Sequence, residues 1–305
     1  SLGIPTTISM LVTNIYNMVD TYFVGTLGES QQAATGILFT LQAIIQAIAF
    51  MLGQGSGTLV SKSLAEQDQK EASEYVSTAF FSGLVIGSVL MVGGLLFLNP
   101  FMRLLGSTET ILPYARQYGA CVLITCPIMI ASFVLNNNLR YEGKAFYAMF
   151  GLTTGGILNI FGDYLLVAKL GLGVYGAGLA TALGCSLSIL LMLTHFGTKK
   201  NTLKLSRIYG HIHKTRLVTA NGFSPFVSDL AMGVVSVLFN RQIMAYLDSN
   251  ALAVFGVIVQ VTCFVQCSTY GVGQASQPLL SANYGVKRWD RIRQTETYAL
   301  WTVAV

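Results

Sequence analysis

Long apolar runs constrain this chain more than any other feature of its sequence. Eight runs of about 20 residues or more follow one another, and a ninth begins near Thr295. A helix of about 20 apolar residues is long enough to cross the hydrocarbon core of a bilayer. The eight runs cover approximately residues 4–27, 33–61, 75–98, 112–139, 145–168, 176–196, 217–247 and 251–280.

The composition agrees with these runs, since only 10% of the 305 residues are charged. A soluble domain carries about 25% charged residues, so a fraction this low leaves most of the surface for lipid. We therefore expect an all-α polytopic membrane protein. Because the chain starts and stops within apolar runs, we interpret it as truncated inside a helix at each end.

The basic residues predict the orientation of the helices. Of the 18 Lys and Arg residues, 14 lie in segments that follow even-numbered runs. The other four are Arg103, Arg116, Lys169 and Arg241. Cytoplasmic loops carry the excess of Lys and Arg, so the even loops and the N-terminus are expected in the cytoplasm.

An internal repeat supports the helix count. A shift of 220 residues without gaps aligns residues 36–61 with residues 256–281, and both segments carry Gly-Gln-x-Ser, at 53–56 and at 273–276. Six runs separate the copies, so both copies have the same orientation. Repeats of this kind are related by an axis along the membrane normal.

Such repeats predict two pseudo-symmetric lobes of six helices each. Residues 1–196 would form the amino-terminal lobe, with a truncated first helix. Residues 197–216 would form a cytoplasmic linker. Residues 217–305 would begin the second lobe with about two and a half helices: the seventh, the eighth and part of the ninth.

Three acidic residues lie inside the runs: Asp20, Asp163 and Asp229. A carboxylate in a membrane helix is costly and indicates a partner, a cavity or a function. Asp20 and Asp163 come late in runs that lead outward, and Thr181 comes early in a run that leads inward. These three side chains are therefore expected at a similar depth, in the outer half of the membrane.

Helical spacing adds two residues to this group. Tyr16 precedes Asp20 by four positions and Asn159 precedes Asp163 by four, so each pair shares one helix face. The oxygen atoms of such side chains suit a hard cation such as Na⁺. Two close carboxylates in a low dielectric also raise each other's proton affinity, so H⁺ is the alternative. We predict a cation or proton site at Tyr16, Asp20, Asn159, Asp163 and Thr181, with no metal other than Na⁺.

A structural interpretation of the same acids stays open. Asp20 and Asp163 lie near helix ends, where a carboxylate can form local hydrogen bonds or reach the interface. A polar group at the inner end of the fourth run, Asn136 to Asn138 with Arg140, is interpreted as a helix-terminus network rather than a substrate site.

Three further polar residues are candidates for a substrate cavity. Asp229 lies nearer the inner side of the seventh run, and Asn14 and Asn17 lie in the first run. The alternative for each is a structural hydrogen bond between helices.

Other patterns argue against an enzyme. The segment GLGVYG at 171–176 fits a dinucleotide-binding pattern, but it separates two membrane runs and lacks a βαβ unit. No pairing of a nucleophile with a base stands out, and the five cysteines form no metal or disulfide framework. The net charge of +5 is modest and localised, and it does not indicate nucleic-acid binding. We expect no catalytic residues and no cofactor beyond a coupling ion.

Four segments carry a family resemblance. VDTYFVGTLG at 19–28, LNNNLRYEGK at 135–144, LNIFGDYLLV at 158–167 and GAGLATAL at 176–183 resemble the multidrug and toxic compound extrusion (MATE) family. They are most similar to its bacterial branch of multidrug-efflux and DinF-like proteins. The likeness extends over the whole chain, and the motifs are specific in combination and order.

The resemblance implies twelve helices in two lobes around an outward-open cleft. It implies antiport by alternating access, in which cationic amphipathic drugs leave in exchange for Na⁺ or H⁺. The amino-lobe cation site of the family matches Asp20, Asn159, Asp163 and Thr181, with Tyr16 beside it. The family motif usually has Pro after the acid of the fifth helix, whereas Tyr164 follows Asp163 here, so the local helix geometry is expected to differ.

The resemblance also implies a monomer in a bacterial plasma membrane, with the bilayer and small cationic compounds as its partners. Two other functions stay open. A flippase for lipid-linked precursors, from the wider superfamily, would line its cavity with Arg, whereas the runs here hold acids and few Arg. A receptor or scaffold that does not transport would show no ion-dependent flux.

Overall fold

The computed structural model describes residues 3–197, 202–205, 212–246 and 249–304, which are helical except for residues 202–205 and the turns between helices. The described residues form ten α-helices, which are, in chain order, α1 (Gly3–Gly25), α2 (Glu29–Ala65), α3 (Gln69–Leu96), α4 (Leu98–Leu104), α5 (Leu112–Tyr141), α6 (Ala145–Gly162), α7 (Gly173–Gly197), α8 (Ile212–Tyr246), α9 (Ser249–Gly285) and α10 (Trp289–Ala304). A π-helical segment, Asp163–Lys169, continues α6.

Each of the nine predicted runs corresponds to a helix, which confirms the expected all-α class. Within the described ranges, five helices are long and apolar enough to cross a membrane: α2, α3, α5, α6 with its π-helical segment, and α7. The sequence did not predict the short helix α4, which follows α3 directly and has Pro100 in its first turn. Proline is tolerated there because the first N–H groups of a helix have no partner within it.

The connections between helices follow from turn chemistry. Asp68 accepts a hydrogen bond from the backbone N–H of Glu71 at 2.8 Å and so caps α3. Gly143 separates α5 from α6 with a φ of +88°, a value that glycine adopts without strain. Gly171, just before α7, and Gly173, its first residue, also have positive φ angles, of +65° and +60°. These short turns make consecutive helices antiparallel neighbours.

Helices α1 to α7 form one bundle, called here the first bundle, with α5 at its centre. Helix α5 packs against α2, α3, α6 and α7. In its most apolar 18-residue stretch, 72% of the residues are buried. Large side chains such as Leu123, Ile130 and Leu135 fill this core. Burial of a Leu or Ile side chain contributes about 1.5–3 kcal/mol, so α5 is the main packing element.

The predicted linker contributes to this bundle as well. Leu203 is fully buried, and the backbone N–H of Lys204 donates to Ser73 Oγ at 3.1 Å. The last predicted linker residues, 212–216, already belong to α8. The remaining part, including residues 206–211, lies outside the described residues.

Helices α8 and α9 pack against the first bundle through glycines. A Cβ on Gly55 of α2 would lie 2.1 Å from the carbonyl oxygen of Val218, and one on Gly222 of α8 would lie 1.8 Å from that of Met51. Only glycine permits such close approach of two backbones. Helix α9 packs along α1 and α2.

The internal repeat has a structural counterpart. Helices α2 and α9 both have 37 residues, and each end of α9 lies 220 residues after the corresponding end of α2. The two copies of the repeat thus form helices of equal length at equivalent positions, although few of their residues are identical.

The crossing of α2 and α8 can be tested with a single methyl group. We expect Gly55→Ala to lower the thermal stability of the detergent-purified protein, because overpacking against backbone costs about 1–3 kcal/mol. Gly36→Ala on the same helix is the control, since a Cβ there meets nothing within 4 Å. Equal melting temperatures for the two variants would contradict the close crossing.

Candidate functional site

The structure brings the five predicted ion-site residues together inside the first bundle. Asp20 and Tyr16 come from α1, Asn159 and Asp163 from the end of α6, and Thr181 from α7. Asp163 is fully buried, and Asp20 is 6% exposed. Asp20 lies within electrostatic range of both Asp163 and Tyr16.

Asp20 has one hydrogen-bond donor. The phenol of Tyr118, which lies on α5 and is itself buried, donates to Asp20 Oδ2 at 2.6 Å. The other oxygen, Oδ1, is buried without a hydrogen-bond partner. This bond ties α1 to the central helix of the bundle and orients one face of the carboxylate.

Asp163 has no donor at all, since both of its carboxylate oxygens are buried and unpartnered. It begins the π-helical segment that continues α6. Such segments are uncommon and occur often at functional sites. The family motif has Pro directly after this acid, where this chain has Tyr164, and the sequence therefore indicated a different local helix geometry. The π-helical segment begins at this position and is consistent with that expectation.

Asn159 and Thr181 connect α6 to α7. Asn159 Nδ2 donates to Thr181 Oγ1 at 3.3 Å, and Thr181 Oγ1 donates to the carbonyl of Ala177 at 3.1 Å. Asn159 Oδ1 is buried and receives no donor. A void of about 30 Å³ adjoins Asn159, Thr181 and Tyr16. This volume is close to the share of one water molecule in the liquid.

Small residues allow this approach of α6 and α7. A Cβ on Gly155 would lie 1.9 Å from Ser188 Oγ, and one on Gly184 would lie 2.7 Å from the carbonyl oxygen of Gly155. Gly162 faces Ala180 in the same way, at 2.9 Å between Cβ positions. The short side chain of Thr181 can therefore reach Asn159 on the neighbouring helix.

The chemistry of this group follows from its unpaired oxygens. Four buried acceptor oxygens on Asp20, Asn159 and Asp163 have no donor. Oxygen atoms of carboxylates and amides are the ligands that hard cations prefer. Within the described residues, no group of three or more His, Cys, Asp or Glu forms a transition-metal site. The residues present therefore fit Na⁺ or a proton.

A second region, called here the central cavity, lies between the first bundle and helices α8 and α9. Its volume is about 240 Å³, and Asn14 and Asp229 are among its lining residues. Asn14 Nδ2 donates to Cys267 Sγ at 2.6 Å, and Asp229 Oδ2 is buried without a donor. Asn17 does not line this cavity.

Two members of the polar group that the sequence assigned to a helix-terminus network, Asn136 and Arg140, line the central cavity. Arg140 lies in the last turn of α5 and lines the cavity with Asn136. The Arg140 guanidinium donates to Asn137 Oδ1 at 2.7 Å through Nη2, and to Gln274 Oε1 on α9 through Nη1. The network is thus a contact between the first bundle and α9 as well as a helix terminus.

Further hydrogen bonds reinforce that contact. They link side chains of the first bundle to α9: Tyr141 Oη to Gln277 Oε1 at 2.6 Å, and Ser61 Oγ to the carbonyl of Pro278 at 2.9 Å. With the bond from Arg140 to Gln274, these bonds lie toward the C-terminal ends of α2, α5 and α9.

The sequence interpretation missed Tyr118 and Gln274. Tyr118 comes early in a run that leads inward, at the depth of Thr181, so a comparison of depth over every tyrosine in the runs would have placed it near Asp20. Gln274 belongs to the repeated Gly-Gln-x-Ser motif. The motif was recognised as a repeat, but nothing in it indicates Arg140 as a partner.

The bond from Tyr118 to Asp20 can be tested with Tyr118→Phe. Loss of the hydroxyl leaves both oxygens of Asp20 without a donor, so we expect a loss of about 1–3 kcal/mol in unfolding free energy. Thermal unfolding of the purified full-length protein would show it. Tyr114→Phe, one turn earlier on α5, controls for hydroxyl loss. A melting temperature unchanged from wild type in Tyr118→Phe would contradict the bond.

Comparison with known proteins agrees with this geometry. The family model MatE matches residues 5–165. The multidrug export protein MepA of Staphylococcus saprophyticus is 26% identical over 285 residues, which are 92% of this chain and 63% of that protein. MepA of Staphylococcus haemolyticus is 26% identical over 306 residues, or 99% of this chain and 67% of that protein. The chain therefore spans about two thirds of these relatives.

Solved structures show the same fold. An outward-facing multidrug-resistance MATE transporter of the MOP superfamily superimposes with a TM-score of 0.91 at 25% identity, over 98% of this chain and 67% of that one. A MOP superfamily transporter from Pyrococcus furiosus, described as having a binding pocket of reversed polarity, gives the same values. Because the family model matches more than half of the chain, the chain belongs to the MATE family of membrane transporters.

Proposed function

We propose that the full-length protein is a secondary antiporter that exports cationic amphipathic compounds in exchange for Na⁺ or H⁺. The observation that carries this proposal is the group of four buried, unpartnered oxygens on Asp20, Asn159 and Asp163. An unpaired buried acceptor costs about 1–3 kcal/mol, and more when it is charged. A bound cation or proton removes that cost.

The geometry suits either ion. Na⁺ would use the two carboxylates with Asn159 Oδ1 and Thr181 Oγ1 as oxygen ligands. A proton would reside on one carboxylate and reduce the repulsion between Asp20 and Asp163. The neighbouring void of about 30 Å³ leaves room for one water molecule beside the ion.

The central cavity supports a cationic amphipathic cargo. Asp229 offers a carboxylate with a buried, unpartnered oxygen, and Phe50 and Phe133 offer aromatic surface. A ligand cation gains about 0.5–2 kcal/mol over an aromatic face. A second cavity of about 460 Å³ shares Phe50 and Asp229 with the first, which extends the space for a drug-sized molecule.

The polarity of the cavity bears on the flippase alternative. Arg140 is the one basic residue among those that line the described central cavity, and Asp229 balances it. A cavity for an anionic lipid headgroup would require an excess of basic residues. The cationic-drug antiporter is therefore the better-supported function, in a bacterial plasma membrane with a cytoplasmic N-terminus and as a monomer.

Alternating access gives the mechanism. An ion can shift an equilibrium between two states only as far as it binds one state more tightly. Binding at Asp20 and Asp163 would change the packing of α1 against α6 and α7, and α1 also packs against α9. The bonds from Arg140, Tyr141 and Ser61 to α9 would break when the cavity opens to the cytoplasm.

The ion site is tested by Asp163→Asn in the full-length protein. We expect loss of drug resistance at normal expression, because the amide removes both the charge and the titratable proton at this position. Asp290→Asn is the matched control, since Asp290 is exposed at the start of α10. Resistance retained by Asp163→Asn at wild-type protein levels would refute the site.

The coupling ion is tested in proteoliposomes that contain the full-length protein. We expect ethidium transport to be driven by an imposed Na⁺ gradient or by an imposed pH gradient, and to be absent without either. Asp163→Asn should abolish the response to the effective gradient. Transport at the same rate with no ion gradient would contradict the antiport mechanism.

Opening on the cytoplasmic side is tested with a reversible cross-link. The Cβ position of Gly285 lies 3.4 Å from Lys62 Cα, so Lys62→Cys with Gly285→Cys places two thiols within disulfide reach. We expect oxidation to stop transport and a reductant to restore it, because α2 and α9 can no longer separate. Each single-cysteine variant, treated alike, is the control. Full transport by the oxidised double variant would exclude separation at this point.

A further inference from the structure

The turn between α9 and α10 carries charge of the opposite sign to its counterpart in the internal repeat. The shift of 220 residues that aligns α2 with α9 also aligns residues 66–74 with residues 286–294. The first segment, called here the acidic turn, has four acids and one Lys, a net charge of −3. The second, called here the basic turn, has four basic residues and one acid, a net charge of +3.

The two turns have the same backbone conformation. Gln67 and Lys287, which are equivalent positions, both have positive φ angles, of +64° and +55°. The backbone N–H groups of Asp68 and Arg288 each donate to a carbonyl five residues earlier, both at 2.9 Å. Since the backbones agree, the turns differ in what their side chains can bind.

The charges of the acidic turn are used within the protein. Asp68 caps α3. Glu71 accepts a hydrogen bond from the hydroxyl of Tyr75 at 3.1 Å. Glu74 accepts from Lys214 Nζ on α8. The acidic turn thus has internal partners for its carboxylates.

The basic turn has no such internal partners. Its four basic side chains are exposed, and the ion pairs among the described residues include none of them. They are Lys287, Arg288, Arg291 and Arg293. A cluster of four basic residues at the end of a membrane helix attracts anionic lipid headgroups.

The first bundle shows which part of such a turn stays exposed when further helices pack beside it. Helix α5 packs against both α2 and α3, yet residues 67–69 between them remain exposed. The equivalent residues 287–289 are exposed as well, so their exposure is a property of the turn.

An aromatic residue completes the basic turn. Trp289 is 56% exposed, and its ring meets the edge of Tyr284 with 5.6 Å between centroids. Trp and Tyr are enriched at membrane–water interfaces, where the ring lies at the level of the headgroups. Trp289 therefore indicates that the neighbouring basic side chains lie at headgroup depth.

We propose that the basic turn binds the anionic headgroup of a phospholipid at the membrane surface where α9 and α10 meet. Lys287 and Arg288 contact the phosphate, which a guanidinium can bind through two parallel hydrogen bonds, and Trp289 lies beside the glycerol region. The inference uses only the location of the protein in a bilayer and is independent of the ion and cargo of the proposed antiport.

Two lipids that differ in headgroup charge provide the test. The full-length protein in detergent is titrated with phosphatidylglycerol and with phosphatidylcholine of the same acyl chains. Native mass spectrometry measures how much of each lipid is bound. The readout is the ratio of bound phosphatidylglycerol to bound phosphatidylcholine, because a poorly folded variant loses both lipids.

We expect wild type to prefer phosphatidylglycerol, and the double variant Lys287→Gln/Arg288→Gln to lower the ratio about tenfold or more, since each basic residue near an anionic surface strengthens binding about fivefold. The matched control is Lys70→Gln/Arg116→Gln, which removes two exposed basic residues, one of them in the acidic turn. Its ratio should equal that of wild type. The preference of wild type should also weaken as salt is added.

Three outcomes would overturn the proposal: no lipid preference in wild type, an unchanged ratio in Lys287→Gln/Arg288→Gln, or an equal fall of the ratio in the control, which would indicate a diffuse effect of net charge. Displacement of phosphatidylglycerol by an equal concentration of soluble glycerol phosphate would also overturn it, because the turn would then bind a free anion. None of these results bears on ion-driven ethidium transport, which tests the antiporter separately.

Discussion

Burial of carboxylate oxygens without hydrogen-bond donors is the constraint on which the rest of this structure depends. Asp163 has no donor for either oxygen, and Asp20 has one donor for two. In a helix bundle surrounded by lipid, bulk water does not reach such groups. The fold tolerates these groups because α5, α6 and α7 are held together by apolar packing elsewhere, so other contacts can offset the free-energy cost of the unpaired oxygens.

Close packing of the helices fixes the positions of these unpaired oxygens relative to one another. Glycines at 155, 162 and 184 bring α6 and α7 together, and Tyr118 ties α1 to α5 through Asp20. Side chains on such rigid elements keep their relative positions better than side chains on loops. The π-helical segment interrupts the regular α-helical geometry of these elements, and it begins at Asp163, whose two carboxylate oxygens both lack a donor.

The sequence predicted the parts of this arrangement that depend on helix length and periodicity. Run lengths predicted nine helices, and the depth of Asp20, Asp163 and Thr181 followed from the basic loops. Spacing could not predict contacts set by lateral packing: the donation from Tyr118 and the bond from Arg140 to Gln274 depend on which helix faces stand opposite each other. Tyr164 in place of the family's Pro indicated that the helix would differ after Asp163, but it did not indicate a π-helical segment over Asp163–Lys169.

The proposed ion site and the central cavity share part of their walls. Phe133 and Leu152 line both the central cavity and the void beside Asn159. A substrate that displaces either side chain changes the volume available beside the ion ligands, and an ion that reorders Asn159 changes the cavity wall in return. Linkage requires these two effects to be equal in free energy. The proposed exchange of ion for substrate therefore requires only two discrete packings of the Phe133 and Leu152 side chains, without direct contact between the two ligands.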